Sequence, residues 1–402
     1  MKLKVAVMFG GESVEHEISI ISASQAIENL DKDKYEIIPI YISKQREFYV
    51  GDALLDIANF VSLPDLLNKC TQVSLIKKKG RVYIEPVNKG LFTKTINTID
   101  VVMPIVHGTN GEDGSLQGFL EMLKVPYTGC STIPAGVGQD KIFMKSILAH
   151  HGLPLADWTW IYADEYDKDP QQVLAKVNKL GYPVILKPAC LGSSIGIEIA
   201  HDQDELIKAI EETGKYDFKI IIEKLIKNFK EVNCSVRGTH FNPKASELEL
   251  TNETKDGKIL DFQEKYLPQG GKLGKGKMPS KLTSSKMGPS KGMASAKRLV
   301  PAPIDIDKTK QIKSLALKTF DVLQASGICR IDFMLNTDND EIYITEINTI
   351  PGSLAYYLWT PLGVSFTQLL DDMIEDALDL DRRKNKMTFS FDTNVLSTYA
   401  KK

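Results

Sequence analysis

Residues 329–348, "CRIDFMLNTDNDEIYITEIN", decide the fold of the carboxyl-terminal part of the chain. Two apolar runs flank the turn-forming residues "NTDND", a pattern typical of an antiparallel β-hairpin. Because side chains alternate along a strand, Arg330 and Asp332 share one face of the first strand, and Glu346 and Asn348 share one face of the second. All four lie away from the turn, so we expect pairing of the strands to bring them together.

Two carboxylates and an amide oxygen at a strand end are ligands that suit a hard cation such as Mg²⁺, with phosphate oxygens and waters completing its coordination. Arg330 beside them can neutralise charge on a phosphoryl group during transfer. The alternative is a solvated hairpin face, whose charges need not converge. The spacing favours the magnesium and phosphate site.

A second motif, "ILKPACLGSSIGI" at residues 185–197, combines a lysine with a loop rich in glycine and serine. Lys187 ends an apolar strand, and the loop that follows offers backbone N–H groups and hydroxyls to phosphate oxygens. It is not a Walker loop, in which the lysine follows the glycines. By spacing alone a tight turn between strands is an equal alternative, and the adjacent lysine moves the interpretation towards a phosphate cradle.

Two loops nearer the amino terminus are also candidates for ligand binding. Residues 107–118, "HGTNGEDGSLQG", follow a buried strand, where a ligand-binding loop is expected. Without the glycines around it, His107 would be better explained as a hydrogen-bonded structural residue. In "GGESVEHE", residues 10–17, Glu15 is either a counter-ion for a substrate ammonium or a first-turn carboxylate that complements a helix dipole. The latter loop lacks the GxGxxG fingerprint of dinucleotide-binding folds.

The amino-terminal part of the chain carries the pattern of an α/β domain. The buried runs "KVAVMFGG", "YEIIPIYIS" and "IDVVMPIVHG", with the helical pattern "ISIISASQAIENL" after the first, predict an open, mostly parallel sheet covered by helices. We predict three units, an N-terminal domain at residues 1–135, a central lobe at 136–232 and a C-terminal lobe at 233–402.

The composition is that of a globular protein, with 402 residues, 43% of them hydrophobic and 25% charged. A formal net charge of -2 gives no general attraction to nucleic acid or to an anionic membrane, and we expect neither as a partner. No apolar run approaches the roughly 18 residues of a membrane helix, and the first apolar run predicts a strand rather than a signal peptide. Five separated cysteines without zinc-binding spacing indicate a reduced, cytoplasmic protein.

One stretch departs from this balance. Residues 269–298, "QGGKLGKGKMPSKLTSSKMGPSKGMASAKR", gather lysines, glycines and serines without a single Asp or Glu. Such a segment buries too little apolar surface to be ordered alone. We therefore expect an anionic ligand to order it.

Eight motifs occur in one order with compatible spacing: "GGESVEHEIS", "HGTNGEDGSLQG", "DKIFMK", "ILKPACLGSSIG", "IIIEKL", "FQEKYL", "RIDFML" and "EINTIPG". Together they resemble the D-alanine:D-alanine ligases of the ATP-grasp superfamily, from about residue 5 to about residue 375. The resemblance implies an α/β fold, in which an N-terminal open parallel sheet with helices precedes a two-lobed α+β ATP-grasp unit. It also implies that a homodimer uses ATP to join two D-alanines through an acyl phosphate, for peptidoglycan precursor synthesis.

The resemblance further implies how ATP and metal ions would be held. The residues that would bind ATP are Lys141 and Lys187 at the phosphates, Glu223, Lys224 and Ile226 around the adenine, Glu231 at the ribose, and also Ser193, Ser194 and Lys265. Two Mg²⁺ ions, for which Mn²⁺ can substitute, would be held by Asp332, Glu346 and Asn348.

The amino-acid substrates would occupy a neighbouring site. Glu15, supported by Ser193 and Tyr266, would take the ammonium of the first D-alanine. Arg330 and the backbone N–H of Gly352 would stabilise the oxyanion of the second step. The other substrate-binding positions would be His107, Tyr357 and Leu358.

Two features depart from the family pattern. Lys265 and Tyr266 begin the family's closing loop, at about residues 263–300, and the basic stretch makes this loop long, either as a lid over the triphosphate or, in its distal part, as a solvated insertion. Tyr357 and Leu358 stand where the family usually has Ser-Leu, and a phenol donates its hydrogen bond from a greater reach.

Two alternative functions follow. One is a related carboxylate–amine ligase with another second substrate, such as D-serine or D-lactate. The other is a nucleotide-binding module without catalysis. The resemblance implies that Tyr266 favours an amine as the acceptor, because relatives that use D-lactate commonly have histidine at this position.

Overall fold

The computed structural model describes residues 2–88, 95–254, 298–393 and 395–400. These segments form three β-sheets, one of seven strands and two of four strands. Within them no helix combines the length and the apolar character needed to cross a membrane. All five cysteines are free thiols.

The first sheet has the strand order β6-β5-β4-β3-β2-β1-β7. Its strands are β1 (Leu3–Gly10), β2 (Tyr35–Ile42), β3 (Phe48–Val50), β4 (Thr71–Lys78), β5 (Arg81–Pro86), β6 (Asn97–Ile99) and β7 (Val101–Ile105). Its helices are α1 (His16–Asn29), α2 (Leu63–Leu67) and α3 (Ser115–Leu123), followed by α4 (Thr132–Gln139).

The predicted parallel sheet is present as β2, β1 and β7, which pair in parallel. The pairings from β2 through β6 are antiparallel, so the expectation of a mostly parallel sheet is corrected for this half. The connections explain the difference. Lys79 and Gly80 both have positive φ in the two-residue turn between β4 and β5, and so short a turn can join only antiparallel strands.

Both faces of the parallel part are covered, as its continuous apolar runs predict. Alternate residues of β1 point to opposite sides. Val5 and Val7 pack in a core with α1 and the helix Phe366–Lys384, and Ala6 and Met8 pack in a core with α3. This places the ends of β1 and β7, and the loops after them, against the carboxyl-terminal part of the chain.

The second sheet is antiparallel, with the order β10-β9-β11-β8. Its strands are β8 (Trp158–Tyr162), β9 (Val184–Pro188), β10 (Glu198–Ala200) and β11 (Lys219–Lys224). Helix α5 (Lys141–His150) precedes it, and α6 (Glu165–Lys168), α7 (Pro170–Leu180) and α8 (Gln203–Thr213) belong to it. Apolar residues of α7 and α8 share one core with β9 and β11.

The third sheet is also antiparallel, with the order β13-β12-β14-β15. Its strands are β12 (Phe229–Gly238), β13 (Lys244–Thr254), β14 (Gly327–Asn336) and β15 (Ile342–Asn348). The remaining helices are α9 (Ile306–Val322), α10 (Phe366–Lys384) and α11 (Leu396–Tyr399). Helix α9 buries Ile312, Ala316 and Phe320 against the sheet. Since β12 begins at Phe229, the predicted division at residue 232 falls inside this strand, and the three-domain division stays a prediction.

The predicted hairpin is present as β14 and β15. Its register pairs Arg330 with Asn348 and Asp332 with Glu346, and a bulge follows Asp332. The two-residue alternation therefore places these four residues together, as the sequence predicts.

Candidate active site

The hairpin residues form a compact charged cluster. Arg330 Nε and Nη2 donate to the two carboxylate oxygens of Asp332, each at 2.7 Å. Asn348 Nδ2 donates to Asp332 Oδ2 at 3.1 Å. Burial alone would lower the pKa of Arg330, but the carboxylate of Asp332 raises it well above its ordinary value. The arginine is therefore a permanent positive charge beside the carboxylates predicted to bind metal.

Lys141 connects this cluster to the second sheet. It is the first residue of α5, whose N-terminus is capped by Asp140, and its Nζ donates to the carbonyl oxygen of Leu191 at 2.8 Å. The same Nζ lies 3.6 Å from Glu346 Oε2. One lysine thus contacts both the glycine- and serine-rich loop and the hairpin.

A cleft between the second and third sheets collects most of the predicted phosphate and metal residues. Ser193 and Ser194 each have a φ of 58°, in the left-handed region, so the loop that carries them turns sharply. The predicted residues that line the cleft are Lys141, Lys187, Ser193, Ser194, Glu231, Asp332 and Glu346. The loop therefore faces the hairpin, as a phosphate cradle requires and an isolated tight turn does not.

Next to this cleft lies a small cavity with an apolar wall. The predicted adenine residues Glu223, Lys224 and Ile226 line it, and the apolar residues Phe229, Met334 and Ile344 close it. Lys224 Nζ donates to the carbonyl oxygens of Gly181 and Tyr182, at 2.9 Å and 3.0 Å. The cavity measures about 10 Å³, and Lys145 and Lys187 also line it, so a purine would enter only if these side chains move.

Sequence reasoning missed one buried charge at this cavity. Lys145 Nζ lies 3.3 Å from Glu223 Oε1, and Lys187 Nζ donates to Glu223 Oε2 at 3.1 Å. Burial alone would raise the pKa of Glu223, but the two ammonium groups lower it to about 2. Lys145 follows Lys141 by four residues in α5, and that spacing is the signal that could have identified it.

Glu15 lies where the amino-terminal domain meets the phosphate loop. Ser193 Oγ donates to Glu15 Oε1. A Cβ atom on Gly108 would lie 2.9 Å from Glu15 Oε2, and Gly108 has a φ of 71°, so glycine is required there. The structure thus brings together Glu15 and Ser193, which are 178 residues apart in sequence.

His107 is buried and supports a backbone turn. Its Nε2 lies 2.9 Å from Ser22 Oγ, and the backbone N–H of Ser353 donates to the same Oγ at 2.9 Å. Burial lowers the pKa of His107 to about 4, so the imidazole is neutral at physiological pH. These contacts favour the structural alternative for His107, with Ser22 as a second residue that the sequence did not reveal.

Glu112 supports the same region from the other side. Its carboxylate accepts from the backbone N–H of Gly108 at 2.9 Å and from that of Ile350 at 2.8 Å. Burial and the nearby Glu15 raise the pKa of Glu112 to about 8. The loop after β7 and the loop after β15 are therefore tied together by one carboxyl group.

The turn that these groups hold carries the predicted oxyanion donor, Gly352. In the 3₁₀ segment Gly352–Leu358, three consecutive residues that are not glycine have left-handed φ values: 51° at Ser353, 50° at Leu354 and 49° at Ala355. Each such residue costs about 1–2 kcal/mol of strain. All three are buried, so surrounding contacts maintain a conformation that the chain would not adopt alone.

Tyr357 is engaged in a partly buried polar cluster. Its hydroxyl donates to Glu249 Oε2 at 3.0 Å and accepts from Arg298 Nη1 at 2.9 Å. Burial raises the pKa of Tyr357, so the phenol keeps its proton. Since Glu249 takes the phenolic hydrogen, that hydrogen is not directed to a substrate in this arrangement. The side chain of Leu358 is fully buried and packs in the core with α1 and α10.

The described residues do not include Lys265 and Tyr266, nor any of the basic stretch except Arg298.

A larger cavity of about 860 Å³ lies between α3 and the end of α10. It is lined by Met122, Tyr127 and Phe389 among others, and by no residue predicted for the site. We place the chemistry at the smaller cleft because the charged and strained groups converge there.

Two antiparallel sheets that enclose a lysine-lined cleft, after an open α/β sheet, define a ligase of the ATP-grasp fold, as predicted. The family model described as D-ala D-ala ligase N-terminus matches residues 4–130, and the model for the C-terminus matches residues 147–288 and 285–375. The D-alanine--D-alanine ligase of Thermosipho africanus is 40% identical over 401 residues, which is all of both chains. The chain therefore belongs to the D-alanine:D-alanine ligase family.

Solved structures agree with this assignment. The D-alanine-D-alanine ligase from Coxiella burnetii superimposes with a TM-score of 0.75 at 27% identity, covering 96% of each chain. The VanG D-Ala:D-Ser ligase from Enterococcus faecalis gives 0.73 at 27% identity, covering 94% of this chain and 100% of that one.

Proposed function

We propose that the protein joins two D-alanine molecules to D-alanyl-D-alanine, with conversion of ATP to ADP and phosphate, for peptidoglycan precursor synthesis. The observation that carries the proposal is the convergence of Glu15 with Ser193 and of Lys141 with Glu346 around one cleft. An ammonium-binding carboxylate thus lies beside a site of the type that binds phosphate and metal. ATP and D-alanine are the expected ligands, and their presence in the cytoplasm makes that the expected location.

The first step is phosphoryl transfer to the first D-alanine. Glu15 binds its ammonium and Ser193 positions Glu15. The substrate carboxylate then attacks the γ-phosphorus of ATP and ADP leaves, giving an acyl phosphate. Lys187 and Arg330 neutralise the charge that accumulates, which is the main demand of phosphoryl transfer.

The second step is attack by the amine of the second D-alanine on the acyl carbon. The tetrahedral oxyanion is stabilised by Arg330 and by the backbone N–H of Gly352, which the strained turn fixes in place. The attack forms the C–N bond, the nitrogen loses a proton to solvent, and collapse of the intermediate restores the carbonyl and breaks the C–O bond to the departing phosphate. His107 and Glu112 hold the turn without contacting substrate, and they are therefore positioning residues.

Mg²⁺ fits the donor types of Asp332, Glu346 and Asn348: the two carboxylates line the cleft, and the amide of Asn348 contacts Asp332. Among the described residues, no group of three or more His, Cys, Asp and Glu side chains could hold a metal ion. Phosphate oxygens and waters would therefore supply the other ligands of the two proposed ions. When bound, Mg²⁺ neutralises triphosphate charge, a role that Mn²⁺ can also fill.

The test is phosphate release from magnesium-ATP by the purified protein with D-alanine, with the product identified by mass. L-Alanine and an Arg330→Met variant serve as controls. Phosphate release with formation of D-alanyl-D-alanine is the expected result. ATP binding without substrate-dependent phosphate release would instead indicate the non-catalytic module. We also propose the homodimer that the family resemblance implies, and sedimentation of the same sample tests it.

A second candidate is a ligase that joins D-alanine to another acceptor. The observation that favours it is the engagement of the Tyr357 hydroxyl by Glu249 and Arg298, at the position where the family usually presents serine. Competition among D-alanine, D-serine and D-lactate in one mixture distinguishes the two candidates. A dominant mixed product would replace the leading proposal.

A further inference from the structure

Lys145 is a buried lysine to which the proposed mechanism assigns no role. It lines the small apolar cavity next to the cleft and is only 1% exposed. Its ammonium lies 3.3 Å from Glu223 Oε1, and Glu223 is itself 5% exposed. A lysine so deeply buried is uncommon unless it is paired, so the pair with Glu223 explains how it is accommodated.

Glu223 is shared between two cations. Lys145 approaches one carboxylate oxygen and Lys187 donates to the other. Burial lowers the pKa of Lys145, while the carboxylate opposes that change. The trio thus carries one negative and two positive groups in a cavity from which water is largely excluded.

The proposed function requires this trio to rearrange. Lys187 is proposed to bind the triphosphate, yet here it contacts Glu223, which is proposed to contact the adenine. When Lys187 turns to phosphate, Glu223 loses one of its two counter-ions while remaining buried. A buried carboxylate without a partner is strongly destabilised, so the move is favourable only if another cation stays behind.

We propose that Lys145 is that cation: it holds Glu223 ionised and oriented in the adenine cavity and thereby frees Lys187 for the triphosphate. The inference rests on the proposed use of ATP. It assigns Lys145 as a positioning residue that acts on the nucleotide through Glu223 rather than by direct contact.

The assignment has a consequence for base selectivity. An ionised carboxylate is an acceptor only, so Glu223 can accept a hydrogen bond from the 6-amino group of adenine. A 6-oxo purine presents an acceptor at the same position, and two acceptors repel. The lysine therefore maintains the preference for a 6-amino purine over a 6-oxo purine.

The experiment is a double-mutant cycle on nucleotide binding with the full chain. Dissociation constants for magnesium-ATP and magnesium-ITP are measured by calorimetry, without D-alanine, for wild type, Lys145→Met, Glu223→Gln and the double variant. We expect Lys145→Met to weaken ATP binding about 30-fold and ITP binding about fivefold. Both nucleotides need Lys187 released for the triphosphate, but only ATP also uses the ionised carboxylate of Glu223. In the Glu223→Gln background, where no buried charge needs a partner, the same substitution should change ATP binding less than about threefold.

Lys313→Met provides a matched control. Lys313 also pairs with a glutamate, Glu247 at 3.0 Å, but α9 places it in another part of the fold, and its loss should leave nucleotide binding unchanged. Lys145→Arg keeps the charge and should keep the preference for ATP over ITP. If Lys145→Met does not fold, the arginine variant and the double variant, which lacks both charges, still test the coupling.

The proposal would be overturned if Lys145→Met weakened ATP and ITP binding equally. It would also be overturned if Lys145→Met had the same effect on ATP binding in the wild-type and the Glu223→Gln backgrounds. A wild-type protein that binds neither nucleotide would instead contradict the proposed function itself. A wild-type protein that prefers ATP, together with a Lys145→Met variant that behaves like it, would contradict this inference alone.

Discussion

The two sides of the site are held by different kinds of interaction. On the side of the cleft, cations contact carboxylates: Arg330 with Asp332, Lys141 with Glu346, and Lys187 with Glu223. On the side of the Gly352 turn, the supporting groups are Ser22, a neutral His107 and backbone N–H groups bound by Glu112. Ion pairs can exchange one partner for a charged ligand, whereas the hydrogen-bonded turn keeps one shape. The site therefore separates the groups that bind charged ligands, at the cleft, from the groups that fix the position of the Gly352 turn.

The largest effect is expected on the charged side, from Arg330→Met. It removes the proposed cation at both chemical steps and leaves Asp332 without its guanidinium partner. We expect kcat to fall about 1000-fold, because the loss of one preorganised oxyanion donor has effects of this size. Steady-state phosphate release measures kcat, and calorimetry checks that ATP still binds. A variant within about tenfold of wild type would show that the arginine does not act in the chemistry.

The next effect concerns the stability of the fold at acidic pH and arises from His107, which supports the Gly352 turn. The folded-state pKa of His107, about 4, lies below its ordinary value of 6.5. The unfolded chain therefore binds more protons between these values, and the free energy of unfolding falls as pH drops from 6.5 to 4. For this fully buried group the loss is about 3 kcal/mol. His107→Gln should show a shallower decline in denaturant titrations over this window, and an unchanged pH profile would contradict the account.

A smaller effect is expected from Ser22→Ala. It removes the hydroxyl shared by His107 and the backbone N–H of Ser353. Slight displacement of the turn should lower kcat about tenfold with little change in the dissociation constant of ATP, because positioning errors reduce rate more than remote binding. Ser146→Ala is the comparison variant, because it removes a hydroxyl on α5 that donates to the carbonyl oxygen of Ile142 in the same helix. Equal losses of kcat and ATP binding would mean general destabilisation instead.

The smallest effect is expected from Tyr357→Phe. Loss of the hydroxyl leaves Glu249 and Arg298 paired to each other, their charged atoms being 3.0 Å apart. We expect a loss of unfolding free energy of about 1 kcal/mol, the size of one hydrogen bond. The KM of the second D-alanine should change less than about twofold. An increase of this KM by about tenfold would instead indicate that the phenol contacts the second substrate.

The sequence predicted the hairpin and its four polar residues because side-chain alternation and distance from the turn settle the register. It did not predict the antiparallel strands β3 to β6, whose short runs and turn are locally ambiguous between several pairings. Lys145 was missed because a lysine on an amphipathic helix is usually a surface charge. His107 stayed undecided because its partner, Ser22, is 85 residues away in α1. Local patterns thus revealed the charged groups, and only tertiary structure revealed what holds them.

The most direct test of the central claim follows oxygen from substrate to phosphate. D-Alanine labelled with ¹⁸O in its carboxylate is incubated with magnesium-ATP and the protein, and the released phosphate is analysed by mass. An acyl phosphate intermediate predicts transfer of one labelled oxygen to phosphate for each D-alanyl-D-alanine formed. Dipeptide formation with unlabelled phosphate would contradict the account.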